Sequence, residues 1–336
     1  MKRIEFTNLN IQKHRFRRRL ISKRKKKIRN RLNNNFTTNE KKYNNETKKA
    51  LHIDAPIAFS LQQNTEKMLI FIQRLKRLYS LNTDVYINMK EVQDITCGSI
   101  ALLLSVLSDF MDKGLTVYGN RPKNKNAKRV LERSGFFNFV RGSISESDKN
   151  SKNNIICQGK QSVMQEESAE LVKQAMETVT GTSARNQKIQ GMLIEMMANS
   201  VNHAFKDVIN TRWWISASHD EENNKVSFVF IDNGEGIVNT LGENFLKKIS
   251  YKFKDNLDLI TSAFNRQIKS RTGLNYRGRG LPRIEKGRLN NYFSNFTLIT
   301  NNVYYTGDIA TSRLLDEDFS GTFYYFELHK ENLNAA

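Results

Sequence analysis

Cysteine is nearly absent: Cys97 and Cys157, sixty residues apart and without a C-x-x-C spacing, are the only two in 336 residues. That excludes a disulfide framework and a cysteine-based metal site, and it fits a reducing cytosol. No run approaches the roughly 18 consecutive apolar residues of a membrane span. The arginine-rich N-terminus is not followed by an apolar segment of signal-peptide type. The expectation is therefore a soluble, unexported, cytoplasmic protein. No internal repeat is evident. Acidic residues are also scarce, 34 Asp and Glu against 54 Lys and Arg, for a net charge of +20.

That charge is unevenly placed. Residues 1–50 hold 18 Lys or Arg against 3 Glu, a balance of +15, which leaves +5 for the other 286 residues. The run HRFRRRLISKRKKKIRNRLNNN has few apolar positions and ends in asparagines, so it is expected to be disordered unless a polyanion orders it. Nucleic acid is the expected partner, because clustered Arg and Lys gain affinity by releasing phosphate counterions. An anionic membrane surface is the weaker alternative, offered some apolar surface by Ile4, Phe6, Leu9, Ile11, Phe16, Leu20 and Ile21.

Beyond the tail the chain is long enough for two domains, and 38% hydrophobic residues with 10% aromatics support packed cores. The spacing of apolar residues predicts a helix over 69–80, a strand over 83–89, a helix over 99–114 closed by Gly114, a strand over 115–119 and a helix over 126–136. This pattern asks for a small sheet with helices against it. Residues 51–145 resemble a STAS-like domain, the fold of anti-anti-sigma factors, through an apolar strand, the turn DITCGSIALLL, a helix and a strand ending at VYG. In that family the turn commonly reads D-S-S-G and one serine can be phosphorylated. Here Asp94, Ile95, Thr96, Cys97 and Gly98 stand in its place, leaving Thr96 either as an acceptor or as part of a helix-capping turn.

Residues 146–162, inside a polar stretch from 142 to 166, read as a linker. From 163 onward come two helices, then strands at RWWISAS and KVSFVFI (225–231), and later at FTLITNN and GTFYYFEL. Four short motifs stand among them. The helix GMLIEMMANSVNHAF (191–205) brings Glu195, Asn199, Asn202 and His203 within about 100° of arc, opposite Leu193, Ile194, Met197, Val201 and Ala204. The turn Asp232-Asn233-Gly234-Glu235-Gly236 follows the strongest strand. RTGLNYRGRGLPRI (271–284) sets Gly278 and Gly280 ahead of a helix, and SGTFYYFEL (320–328) opens a terminal strand.

In this order the four motifs, over residues 163–330, resemble the nucleotide-binding domain of the GHKL superfamily, the histidine kinase-like ATPases that include DNA gyrase, MutL proteins, histidine kinases and anti-sigma-factor serine kinases. The resemblance implies an α+β chain: a Bergerat-type α/β sandwich that binds ATP with Mg²⁺, preceded by the small STAS-like α/β domain and the basic tail. It implies that Asn199 gives Mg²⁺ one side-chain oxygen, the rest coming from water and phosphate. Glu195, one turn earlier, would polarise a water for attack on the γ-phosphate. Asp232 would accept a hydrogen bond from the adenine amino group, with Gly234 and Gly236 removing side chains beside the base. Gly278 and Gly280 would turn backbone amides toward the phosphates at a helix N-terminus, aided by Arg277 and Arg279. Thr322 would place its hydroxyl near adenine, and His203 would stand near phosphate. Residues 239–277 correspond to the lid over ATP in this superfamily.

None of His14, His52, His203, His219 and His329 lies in a helix ahead of the ATP module with an adjoining acid, so a sensor histidine kinase is not expected. The compact EMMANSVNHAF pattern is most similar to the anti-sigma-factor kinases and related stand-alone bacterial ATPases. The first expectation is Mg-ATP hydrolysis, or phosphorylation of a protein Ser or Thr, under control of the STAS-like domain. The alternative is an ATP-gated module that holds nucleic acid, a protein partner or a second copy of the chain with little turnover.

Overall fold

A computed structural model describes residues 49–139, 154–160, 162–204, 212–220, 222–240, 253–265 and 280–333. The basic tail up to residue 48 lies outside them. The described chain is mixed α+β. Its first part runs β1 (Leu51–Asp54), β2 (Ala58–Phe59), α1 (Thr65–Ser80), β3 (Val85–Asn88), β4 (Asp94–Ile95), α2 (Cys97–Lys113), β5 (Val117–Gly119), α3 (Lys125–Arg133) and α4 (Phe136–Phe139). β1, β3 and β5 form a parallel sheet in that order, with Ile53 paired to Ile87 and Ile87 to Gly119; β2 and β4 make a second, two-stranded parallel ladder.

Both ends of α2 are chemically marked. Thr96 is its N-cap, accepting from the Ser99 amide at 3.3 Å and donating to Ser99 Oγ at 3.0 Å. Of the two readings of Thr96, the capping one describes what its hydroxyl does here. Gly114 closes the helix at φ +79°, in the left-handed region where glycine has no Cβ penalty.

The second part runs β6 (Asn154–Lys160), α5 (Gln165–Thr180), α6 (Gln187–Asn199), a π-helical turn (Ser200–Ala204), β7 (Arg212–Asp220), β8 (Lys225–Asp232), α7 (Ile237–Thr240), α8 (Asn256–Phe264), α9 (Gly280–Leu289), β9 (Ser294–Tyr305), β10 (Arg313–Leu328) and a 3₁₀ turn (Lys330–Leu333). Five antiparallel strands form one sheet in the order β6-β7-β8-β10-β9.

Each face of this sheet is covered by a different set of helices. Trp213, Ile215, Phe228, Phe230, Leu298, Tyr324 and Phe326 share a core with α5, α6, α8 and α9. Trp214, Val229, Ile231, Ile299, Phe319 and Phe323, the alternate residues, share a core with α1 and α2. Side chains alternate across a strand, so a sheet buried on both faces reads as a nearly unbroken apolar run. That is why RWWISA and FVFI show no polar alternation. The same logic explains α2, which is buried from Cys97 to Ser108 on every side. It lies between the parallel sheet and the five-stranded sheet, and a helix apolar all round is a helix with no solvent face. At Gly98 it comes so close to the larger sheet that a Cβ there would stand 2.8 Å from Val229 Cγ2.

Three expectations change. The stretch 146–162 contains β6, an edge strand paired with β7 from Asn154↔Ser218 to Lys160↔Arg212. Its apolar run, IIC, is too short to show a period; what admits it is Gly159, because a Cβ there would fall 1.9 Å from the Trp213 ring. The Gly-Thr element does not open a strand. Gly321 sits inside the sixteen-residue β10 at φ +133°, where the pairing with β9 is irregular between Phe319 and Thr322. Finally, part of the segment read as a lid is core: α8 buries Leu259, Ile260 and Phe264 in the cluster with β9 and α9. Residues 241–252 and 266–277 of that segment lie outside the described chain.

Candidate nucleotide site

Helix α6 starts at Asn186, whose side-chain oxygen accepts from the amides of Lys188 and Ile189. Ile189, Met192, Leu193, Met196 and Met197 anchor it in the core. Glu195 and Asn199 therefore face away from that core, one turn apart and half-buried. The first residue of α9 is set against them: a Cβ built on Gly280 would lie 3.0 Å from Asn199 Nδ2, 3.1 Å from its Oδ1 and 3.3 Å from Glu195 Oε2. A Cβ there would press on both side chains, so glycine suits this close approach.

From the next turn of the same helix Arg283 donates from Nη1 to Glu195 Oε1 at 2.7 Å. Sequence reasoning passed over Arg283, although it stands inside the quoted RGRGLPRI stretch; its signal was the i+3 spacing from Gly280 on a helix aimed at an acid.

After Asn199 the helix widens into the π turn Ser200–Ala204. Such turns add a residue to the hydrogen-bonded loop, so the wheel drawn with α spacing no longer fixes Asn202 and His203 relative to Glu195. The His203 side chain, with Arg277, Gly278 and Arg279, lies outside what the structure describes. Ala204 ends the π turn, and the glycine turn meets its carbonyl. Glu235 donates its amide to Ala204 O at 2.8 Å, and a Cβ on Gly234 would fall 2.2 Å from that oxygen.

Asp232 ends β8 directly opposite Thr322 of β10 and is only 3% exposed. Its Oδ1 accepts from the Gly234 amide at 3.0 Å, and Thr322 hydrogen-bonds it as well. Burial pushes its carboxyl up to about 7, against the downward pull of those hydrogen bonds and of the Lys76 charge. Gly236, at φ +80°, is seated on Asn301, whose Oδ1 a Cβ there would approach to 2.5 Å. Asn301 accepts from the Val238 amide and donates to Glu235 O, while Thr300 accepts from the Ile237 amide and donates to Gly321 O. Thr300 and Asn301 were also missed. The switch from FTLI to TNN inside one strand was the available sign.

Three separated pieces of sequence thus meet at the C-terminal half of α6: its own acid and amide, the 232–236 turn at Ala204, and the N-terminus of α9 at Asn199 and Glu195. The arrangement offers hard oxygen donors, a helix N-terminus and a buried acceptor that is half protonated near neutral pH. Among the described residues no group of three His, Cys, Asp or Glu side chains could hold a metal by itself. A groove of about 660 Å³ beside the edge strand β9, reached by Arg288, Asn295 and Asp308, includes none of these residues. Among the described residues no helix is long and apolar enough to cross a membrane. Compared with known proteins, the sequence matches no family model and no curated protein.

Proposed function

We propose that this chain binds Mg-ATP as a GHKL-type ATPase, with the phosphates against the N-terminus of α9 and the base against Asp232. The observation that carries the reading is the convergence on α6 of the acid-amide helix face, the glycine turn and the Gly280 helix start. Asn199 suits one ligand position of Mg²⁺, which keeps several waters and phosphate oxygens; when bound it would offset charge on the transferring phosphoryl group. Asp232, as a carboxylate, accepts a hydrogen bond from the adenine amino group, and Thr322 fixes its orientation. Glu195 orients the attacking water or acceptor hydroxyl and takes its proton. The β1-β3-β5 unit with α1 and α2 takes the STAS-like, regulatory part.

Label on the γ-phosphate tests this. Release as phosphate, or transfer to protein, that is lost in both Glu195→Ala and Asp232→Asn is the expected result, and its destination separates ATPase from kinase. A chain that binds no ATP refutes the reading.

One observation favours the second reading, an ATP-gated binding module. Glu195 Oε1 is occupied by the Arg283 guanidinium at 2.7 Å, which turns that oxygen away from an attacking water. ATP bound by the wild type and not by Asp232→Asn, with its γ-phosphate left intact, is the outcome that reading requires. Its output would then pass to a partner, with nucleic acid on the basic tail as the first test.

A further inference from the structure

The two helices that cover the far face of the five-stranded sheet reach the base end of the site. From α1, Lys76 donates its ammonium to Ser320 O at 3.0 Å, and Gln73 donates to Asp318 O at 3.0 Å. Together they hold the backbone immediately before Gly321 and Thr322. From α2, the fully buried Ser105 points its hydroxyl at Asn233 Oδ1, 3.1 Å away, while it also lies 2.7 Å from Leu102 O. The chain neighbours of Asp232 and Thr322, which pair across β8 and β10, are thus held by side chains from residues 65–113.

The grip at Lys76 is unusual chemistry. Lys76 is half-buried, with its ammonium 5.8 Å from the centre of the Phe319 ring, and partial desolvation lowers its pKa although Asp109, Asp232 and Asp318 stand near enough to support the cation. Its hydrogen bond is nevertheless made to a carbonyl in the irregular stretch of β10. Other polar contacts cross this face, among them Arg212 to Asp109 and Arg313 to Thr65, but those of Lys76 and Ser105 fall on the residues next to Thr322 and Asp232.

We propose that Lys76 and Ser105 are positioning residues for base recognition: the first part of the chain sets the register of the 232–234 and 320–322 backbone, and with it where Asp232 and Thr322 present their oxygens. This rests on the reading of Asp232 as the adenine acceptor. It adds that the nucleotide site is incomplete without α1 and α2, so that occupation by the base is felt directly by the regulatory part. Coupling of this kind is reciprocal.

The test is equilibrium binding of ATP and of inosine triphosphate, whose base has a carbonyl in place of the adenine amino group, to the full chain. The variants are Lys76→Met, Lys76→Arg, Ser105→Ala and Asp232→Asn. Ser105→Ala removes one oxygen from a helix interior at no cost in helix propensity, so it gives a folded reference. Wild type is expected to prefer ATP. Lys76→Met and Ser105→Ala are expected to shrink that preference by about three- to tenfold, the worth of one hydrogen bond, while inosine triphosphate binds as before. Lys76→Arg should keep the preference. Equal losses for both nucleotides, or an unchanged ratio, would make these contacts merely structural and overturn the proposal. If wild type itself does not distinguish the two nucleotides, the reading of Asp232 fails and the proposal falls with it.

Discussion

Replacing Asp232 with asparagine should strengthen the fold while silencing the site. The carboxyl is 3% exposed and its pKa stands at about 7 against an ordinary 3.8. Between those values the folded chain holds a proton that the unfolded chain has released, so stability falls as pH rises through this window. The contribution is whole below about pH 4 and gone above about pH 7. A rise of about three in pKa, at about 1.36 kcal/mol for each, sets a ceiling of about 4 kcal/mol. Asparagine keeps the oxygen that receives the Gly234 amide and carries no charge to bury. The assay is urea unfolding at pH 4, 6 and 8, followed by the fluorescence of Trp213 and Trp214, both buried. Asp232→Asn should match wild type near pH 4 and exceed it by about 2–4 kcal/mol at pH 8. A gap that does not change with pH would refute the argument. In wild type, ATP should bind more tightly at pH 8 than at pH 6, because the carboxylate is a stronger acceptor for the adenine amino group than the neutral acid.

Gly159→Ala should lower stability by about 1–3 kcal/mol, since its Cβ would fall 1.9 Å from the Trp213 ring; an unmoved urea midpoint would contradict that packing. Glu327 should matter in acid. Burial opposes its charge, yet hydrogen bonds from Tyr325, Asn295 and His329 and the charge of Lys225 hold its carboxyl at about 2. The stability it adds over Glu327→Gln should be present above pH 4.5 and vanish as pH falls toward 2, and a gap that survives at pH 2 would count against it. Arg283→Met frees Glu195 from an ion pair that is exposed on the arginine side, so hydrolysis should rise about two- to fivefold and only where Glu195 is intact. A fall in turnover would instead give Arg283 a phosphate-binding role.

Much of the secondary structure was legible because its signals are local. Thr96 and Gly114 bracket α2, and β8 (Lys225–Asp232) differs from the sequence reading by one residue. β6 was hidden because a polar edge strand flanked by Asn and Lys carries no period. The core role of α8 was hidden by the charges on either side of it, although LDLITSAF is apolar enough to pack. The site divides in the same way. Glu195, Asn199, Asp232, Gly234, Gly236, Gly280 and Thr322 could be chosen from spacing and resemblance, and the structure brings them to one end of α6 and to the paired ends of β8 and β10. Arg283, Thr300 and Asn301 left only faint local signs, while Lys76 and Ser105 act through tertiary contacts from elements outside every motif, and one sequence gives no sign of those.

α2 is floor to one sheet and ceiling to the other. A chain cut to begin at β6 would leave Trp214, Val229, Ile231 and Phe323 bare on a flat antiparallel surface, the kind of face on which copies stack and precipitate. A chain cut to end after α4 would bare the matching side of α2. The second fragment would keep the core on the other face of its sheet but lose this one, and the first would lose its only cover for α2, so the two parts should melt in a single transition and a substitution deep in α2 should weaken both at once. Two stretches that the sequence sets apart are expected to unfold as one.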